Sequence, residues 1–106
     1  MVSVERVELP SDVAEVLRGL EKGRPLRENL RRLLVEQLQS RILRYEVLAS
    51  TLQGKYGMSF REFHEKNIVG KLGHGWDVER DYFDWELAET ELASLKKALR
   101  RLRVED

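Results

Sequence analysis

Two long segments of this chain carry apolar residues every three or four positions, and neither segment contains a glycine or a proline. One runs from Leu26 to Leu52 and the other from Trp76 to Arg103. This spacing is typical of amphipathic helices with a nearly heptad seam. At ~1.5 Å per residue the first helix would be about 40 Å long, more than a small globular domain can cover. The two segments are therefore predicted to pair with each other.

The order of the segments predicts a mainly α protein built on an antiparallel hairpin of long helices. Residues 25–106 would form the hairpin, with residues 57–76 as its connection. Four further positions, Val35, Leu43, Val47 and Leu48, widen the first seam beyond what one partner helix covers, so further helices are expected from a second copy or a partner protein. The first seam consists of Leu26, Leu30, Leu33, Leu34, Leu38, Ile42, Tyr45, Ala49, Leu52 and Tyr56. The second consists of Val78, Tyr82, Trp85, Ala88, Leu92, Leu95, Leu99 and Leu102.

The connection itself contains a second local signal. Ser59 and Glu62 have the spacing of a capping box, which predicts a short helix over Phe60–Lys66 that presents two phenylalanines. Three glycines follow within residues 67–76, so this stretch is predicted to be a mobile loop.

The N-terminal region, residues 1–24, has a different pattern. Val2–Leu9 is rich in valine, and its apolar residues alternate on either side of one slip, which predicts a short strand with a bulge. Pro10 ends the strand because proline cannot donate to a ladder. A lone strand needs a partner, and a second copy of the chain is the simplest one, so a homodimer is predicted. The residues expected at this dimer contact are Val2, Val4, Val7 and Leu9.

A short helix is predicted to follow this strand. Asp12 is its favoured cap because Glu15, three residues later, completes a capping-box pattern, and Ser11 is the alternative cap. Gly23 is expected to end the helix.

The charge of the second long segment is polarised. Residues 77–91 hold seven acids and one base, whereas residues 96–103 hold five bases and no acid. This order suits the helix dipole. Antiparallel pairing would bring Arg31 close to Leu102 and Tyr56 close to Asp77. Most of the excess basic side chains would then lie at one end of the hairpin, and the acidic and aromatic side chains would lie at the other end.

Composition excludes several classes of function. The chain contains no cysteine, so disulfides, thiol catalysis and thiolate metal sites are all excluded. His64 and His74 lack the spacing that brings metal ligands together. No motif pairs a nucleophile with a base. We therefore predict no enzymatic activity, no catalytic or metal-binding residue and no cofactor.

Charge and hydropathy bear on partners and compartment. Nineteen basic and nineteen acidic residues cancel, so a nucleic-acid role would need a local basic patch. The sequence shows neither a signal peptide nor an 18-residue apolar run, which predicts a cytoplasmic protein without membrane association. The bias toward Arg, Glu, Leu and Val suits a thermophile.

The most unusual stretch is DYFDWE, residues 81–86. Tyr82 and Trp85 fit the helix seam, so they could fill the hairpin core while the acids face water. Phe83 falls off the seam and would gain from contact with a second helix or a partner's groove. Both interpretations stay open. The residues predicted to bind a partner are Phe60, Phe63, Asp81, Tyr82, Phe83, Asp84, Trp85 and Glu86.

The basic end also has two interpretations. Lys and Arg residues near a helix C-terminus commonly stabilise the dipole, but several cations within reach of phosphates would bind a nucleic-acid backbone. The candidate nucleic-acid contacts are Arg6, Arg24, Arg27, Arg31, Arg32, Arg100 and Arg101.

The N-terminal order of strand, Leu-Pro, short helix, break and longer helix resembles the ribbon–helix–helix repressors. The resemblance is carried by RVELPSDVA at residues 6–14 and ENLRRLL at residues 28–34, and it covers residues 1–45. It implies a dimer whose paired strands enter the DNA major groove. The sequence departs from that pattern at Glu5 and Glu8, which would face phosphates unfavourably.

The whole layout is similar to the small antitoxins of prokaryotic toxin–antitoxin pairs. The stretches that carry this resemblance are KYGMSFREF at residues 55–63 and DYFDWE at residues 81–86. It implies a dimerising N-terminal module and a helical arm that neutralises a small toxin, such as a nuclease, with autoregulation by DNA binding. An acidic aromatic arm suits a basic nuclease surface. The alternative is a structural helical-hairpin adaptor that homo-oligomerises without nucleic acid, and a third is a regulator that binds DNA through its basic end.

Overall fold

Helices dominate the described part of the chain, residues 4–104 of a computed structural model. The long helices α2 and α5 pack against each other over most of their length, which gives a molecule of 58 × 30 × 22 Å. The mainly α class is confirmed. The helices are α1 (Ser11–Leu20), α2 (Leu26–Tyr56), α3 (Phe60–Glu65), α4 (Ile68–Lys71) and α5 (Trp76–Val104).

The two long helices run antiparallel. At one end of the hairpin, Arg31 Nη1 donates to the carbonyl oxygen of Leu102 at 2.7 Å. At the other end, the Tyr56 hydroxyl donates to the carboxylate of Asp81 at 2.5 Å. Arg31 therefore lies where antiparallel pairing predicts it, while Tyr56 pairs with Asp81, one turn beyond the predicted Asp77. Between these ends, the interface buries Ile42, Leu52, Trp85, Ala88 and Leu95.

Proline and glycine set the limits of α2. Pro25 occupies the N-cap position, where its missing N–H removes no helical hydrogen bond. Gly57 ends the helix in the left-handed conformation, with φ at 66°, and its N–H bonds the carbonyl oxygen of Gln53. Gly54 lies inside the helix without interrupting it. The helix therefore continues to Tyr56, the last residue of the predicted seam.

The connection between the long helices is more helical than predicted. The capping box at Ser59 forms, since the Glu62 N–H donates to Ser59 Oγ at 3.2 Å and α3 follows. The stretch 67–76 was predicted as a loop throughout, but its first half contains the one-turn helix α4. Ile68 and Val69 are half-buried against the α2–α3–α5 core, and this tertiary contact holds a turn that four residues would not form alone.

The helix α1 begins earlier and ends earlier than its sequence signals suggest. The prediction of Asp12 as its cap is wrong: Pro10 occupies the N-cap position, and its carbonyl oxygen accepts from the Ala14 N–H at 3.0 Å. Asp12 lies in the first turn, where its carboxylate still suits the helix dipole. The helix ends at Leu20, before Gly23.

The arm before α1 has no regular secondary structure over residues 4–9. Val4 and Val7 are strongly exposed, whereas Leu9 is half-buried; Val2 lies outside the described residues. The expected strand would pair only with a second copy, so a single chain provides no partner for it.

One buried amide joins α1 to α2. Asn29 is only 3% exposed, and its Nδ2 donates to the carbonyl oxygens of Leu17 at 2.9 Å and Glu21 at 3.3 Å. These carbonyls belong to the C-terminal turn of α1, where helical partners run out. Asn29 therefore caps α1 from the neighbouring helix.

Replacement of Asn29 by alanine is expected to lower the free energy of unfolding by about 1–3 kcal/mol, because two carbonyls at the end of α1 lose their donor. Urea denaturation followed by circular dichroism would measure the change. Gln37→Ala, at an exposed position of α2, is the control and should stay within about 0.5 kcal/mol of the parent. Equal stability of Asn29→Ala and its parent would contradict the capping role.

Candidate protein-binding surface

An aromatic cluster closes the acidic end of the hairpin. We define it as Tyr56 of α2, Phe60 and Phe63 of α3, and Tyr82 and Trp85 of α5. The Tyr56 and Phe63 ring centroids lie 4.6 Å apart, and those of Phe63 and Trp85 lie 5.3 Å apart. Phe63 and Trp85 are each 1% exposed. In the single chain, these two predicted partner contacts are core residues that fix α3 against the long helices.

A charged hydrogen-bond group borders this cluster. Asp81 lies on α5 beside the apolar seam, and its carboxylate accepts from Lys55 Nζ at 2.6 Å as well as from the Tyr56 hydroxyl. Partial burial opposes ionisation of Asp81, but the hydrogen bonds from Lys55 and Tyr56 outweigh it, and the pKa of this carboxyl lies below its ordinary value. Burial, followed by the hydrogen bond to Asp81, raises the pKa of Tyr56. Asp81 therefore stabilises the folded hairpin as a carboxylate.

This arrangement predicts part of the acid sensitivity of the fold. Because the folded-state pKa of Asp81 is depressed, its contribution is present above the ordinary pKa of 3.8 and is lost as the pH falls through the lower folded value. Asp81→Asn should remove roughly 1 kcal/mol or less at pH 7 and flatten the decline of stability below pH ~4. Urea denaturation between pH 7 and pH 2.5 would measure both. Asp84→Asn on the same helix is the control, and an unchanged acid slope in Asp81→Asn would contradict the assignment.

A second set of aromatic residues on α5 faces solvent. Phe83 is 64% exposed and Trp76 is 75% exposed, and Leu87 is also exposed. These residues are seven and four positions apart, so they share one side of the helix, which we call the outer face of α5. Of the predicted acidic contacts, Glu86 is exposed and Asp84 is half-buried with Arg80 3.9 Å away. Phe83 and Trp85 therefore differ in solvent exposure: the Phe83 ring faces solvent, whereas the Trp85 ring is buried in the aromatic cluster.

A cavity of about 320 Å³ opens beside the outer face, between α3, α4 and α5. Tyr82 and Phe83 line it together with His64, His74 and Glu79. The Tyr82 hydroxyl lies 2.8 Å from Nδ1 of His64 and 3.4 Å from a carboxylate oxygen of Glu86. Burial, and then the charge of Glu86, raises the pKa of Tyr82. His74 Nδ1 lies 3.2 Å from Glu79.

Sequence reasoning did not predict this cavity. Asn67 and His74 both line it, and both have positive φ values, 49° and 56°, which are uncommon for residues with side chains. A Cβ at Gly70 would lie 2.5 Å from the side-chain nitrogen Nδ2 of Asn67, so a larger residue at this position would displace the Asn67 side chain. The only sequence signal was the glycine content of residues 67–76. No group of three or more metal-ligating side chains occurs in residues 4–104.

The basic end of the hairpin is partly neutralised by neighbouring acids. Arg24 lies 2.7 Å from Glu21, and Arg32 lies 3.5 Å from Glu21 and 3.9 Å from Glu28. The Arg31 guanidinium bonds the end of α5. The remaining candidate cations, all exposed, are Arg6, Arg27, Arg100 and Arg101. Antiparallel packing brings the predicted bases of α2 and α5 to one end, but internal ion pairs reduce the field available to phosphates.

An exposed apolar surface lies at this same end. Within α1, burial is limited to Ala14 and Leu17, while the other three large apolar side chains face solvent. Leu20 of α1 and Leu33 of α2 line one shallow cavity of about 160 Å³. We define the N-terminal apolar patch as Val13, Val16, Leu20, Leu30, Leu33 and Leu34, all exposed.

The described chain is thus a helical-hairpin protein with an aromatic, acidic end and an apolar, partly basic end. Comparison with protein-family models, with curated protein sequences and with solved structures gave no match. Within residues 4–104, no helix combines the length and the apolar character needed to cross a membrane.

Proposed function

We propose that this chain is a non-enzymatic protein-binding module, antitoxin-like, whose aromatic and acidic end covers a basic surface of a partner toxin. The observation that carries the proposal is Phe83, a large apolar ring that is 64% exposed on a helix whose opposite side is anchored by the buried Trp85. Aromatic anchors of this kind carry much of the energy of protein interfaces.

The charges around Phe83 favour a basic partner. The first half of α5, residues 77–91, has a net charge of −6, and Glu79, Asp84 and Glu86 surround the exposed ring in sequence. Negative potential around an apolar anchor accelerates association with a basic surface and disfavours acidic partners. A small basic toxin, such as a nuclease, has the matching chemistry.

The N-terminal apolar patch supports a second part of the proposal, a homodimer. Val2, Val4, Val7 and Leu9 would form a strand paired with the same strand of another copy, and the patch would pack across the dimer axis. A group of exposed apolar side chains on two adjacent helices is typical of an interaction site. Autoregulation by DNA binding would use the basic side chains at this end of the hairpin.

Affinity purification of the tagged chain from its native host tests the leading function. We expect one small basic protein at stoichiometric yield, released by high salt more readily than the dimer dissociates. Recovery of the chain alone, as a stable homo-oligomer, would contradict the antitoxin-like function.

Recovery of the chain alone would favour the alternative function, a structural adaptor. The N-terminal apolar patch is the observation that supports this alternative. Val16→Asp should convert the dimer to monomer in sedimentation experiments under either function. DNA titrations at several salt concentrations separate the two further, because a DNA-binding antitoxin loses affinity steeply as salt rises and an adaptor shows no such binding.

A further inference from the structure

The cavity between α3, α4 and α5 combines an apolar lining with negative charge. Phe63, Ile68 and Val69 contribute apolar surface, and Tyr82 and Phe83 contribute aromatic rings beside the outer face of α5. Its volume of about 320 Å³ lies at the lower end of the range of small-ligand pockets, ~300–1,000 Å³. The cavity is therefore large enough for one long side chain and too small for a segment of folded structure.

Carboxylates and histidines lie side by side at the cavity, where His74 Nδ1 is 3.2 Å from Glu79 Oε1 and His64 Nδ1 is 2.8 Å from the Tyr82 hydroxyl. Glu79 lines it, and Glu86 lies 3.4 Å from the Tyr82 hydroxyl at its edge. Neither Lys66 nor Lys71, the cations of the adjoining segment, is among the residues that line it, and Lys66 lies 3.4 Å from Glu62 instead. An anionic side chain would meet like charge there, whereas a cation would meet carboxylate and the faces of aromatic rings.

We infer that this cavity binds the guanidinium group of an arginine side chain of the partner protein. This inference rests on the proposed function and specifies which group of the partner is recognised. A guanidinium is planar, so it stacks on an aromatic ring such as Tyr82 or Phe83 while its N–H groups donate to Glu79. A lysine ammonium lacks the planar surface and is more strongly hydrated, so it binds less well. Asn67 also lines the cavity, and an asparagine side chain carries a carbonyl acceptor as well as an amide donor.

The test is an NMR titration of the isotopically labelled full chain with the blocked peptide acetyl-Gly-Arg-Gly-amide. Amide signals of Val69, Tyr82 and Phe83 should shift and saturate. The citrulline peptide, which is neutral but nearly the same shape, should bind about tenfold more weakly, since it lacks both the cation–π contact and the ion pair. Equal shifts with both peptides, or none with arginine, would overturn the inference.

Glu79→Gln keeps the size of the side chain, removes its charge and should weaken arginine-peptide binding by about three- to tenfold. Glu65→Gln, on the exposed side of α3 beside Arg61, is the matched control and should bind like the parent. Identical binding by the Glu79→Gln variant would also overturn the inference. Because the peptide replaces the partner, failure of the titration refutes the arginine site alone, while failure to recover a partner from the host refutes the proposed function.

Discussion

Replacement of Trp85 by alanine is expected to lower the free energy of unfolding by about 3–5 kcal/mol, the usual range for an enclosed aromatic residue. Trp85 is 1% exposed and its ring contacts Tyr56, Phe60 and Phe63 from two other helices. Truncation would leave a cavity where α2, α3 and α5 meet. Since a domain of this size has only about 5–15 kcal/mol of stability, the variant would unfold at markedly lower urea concentration.

Phe83→Ala is the matched control for that experiment, because the two aromatic residues are two positions apart on one helix with opposite exposure. Its unfolding free energy should stay within about 0.5 kcal/mol of the parent. Equal destabilisation by the two substitutions would mean that Phe83 is packed in the folded protein. That result would contradict its assignment to the exposed outer face of α5.

The partner complex should respond to Phe83 most strongly. We expect Phe83→Ala to weaken it by about 2 kcal/mol or more, roughly 30-fold in Kd, as for an aromatic anchor at the centre of an interface. Isothermal titration calorimetry with the purified partner would measure this. Leu43→Ala is the control, because Leu43 is 63% exposed, almost as much as Phe83, but lies on α2 away from the acidic end.

If Leu43→Ala weakened the complex as much as Phe83→Ala, binding would depend on exposed apolar surface in general and not on the outer face of α5. An unchanged Kd for Phe83→Ala would remove Phe83 from the interface altogether.

The long helices could be predicted from the sequence because their signals are local and repeated. Three- and four-residue spacing sets the buried side of α2 and α5, Pro25 and Gly57 set the ends of α2, and Ser59 sets the start of α3. The off-seam position of Phe83, which was read from the same spacing, agrees with its exposure in the single chain. Each of these features depends on neighbours within about one helical turn.

The features that were missed depend on contacts distant in sequence. The helix α4 is held by burial of Ile68 and Val69, and the cap of α1 comes from Asn29 on another helix. Asp81 is half-buried beside the apolar seam of α5 because Lys55 and Tyr56 reach it across the hairpin. No local pattern predicts such pairings. The N-terminal strand stays a prediction, since its partner would be a second chain.

Hydroxyl-radical footprinting of the purified complex tests the central claim most directly, because it reports the solvent access of each side chain. If the acidic aromatic end binds the partner, oxidation of Phe83 and Trp76 should fall several-fold relative to the free chain, while Leu43 stays unchanged. Protection confined to Val16, Leu20 and Leu33, with Phe83 oxidised as in the free chain, would contradict the claim and place the interaction at the N-terminal apolar patch.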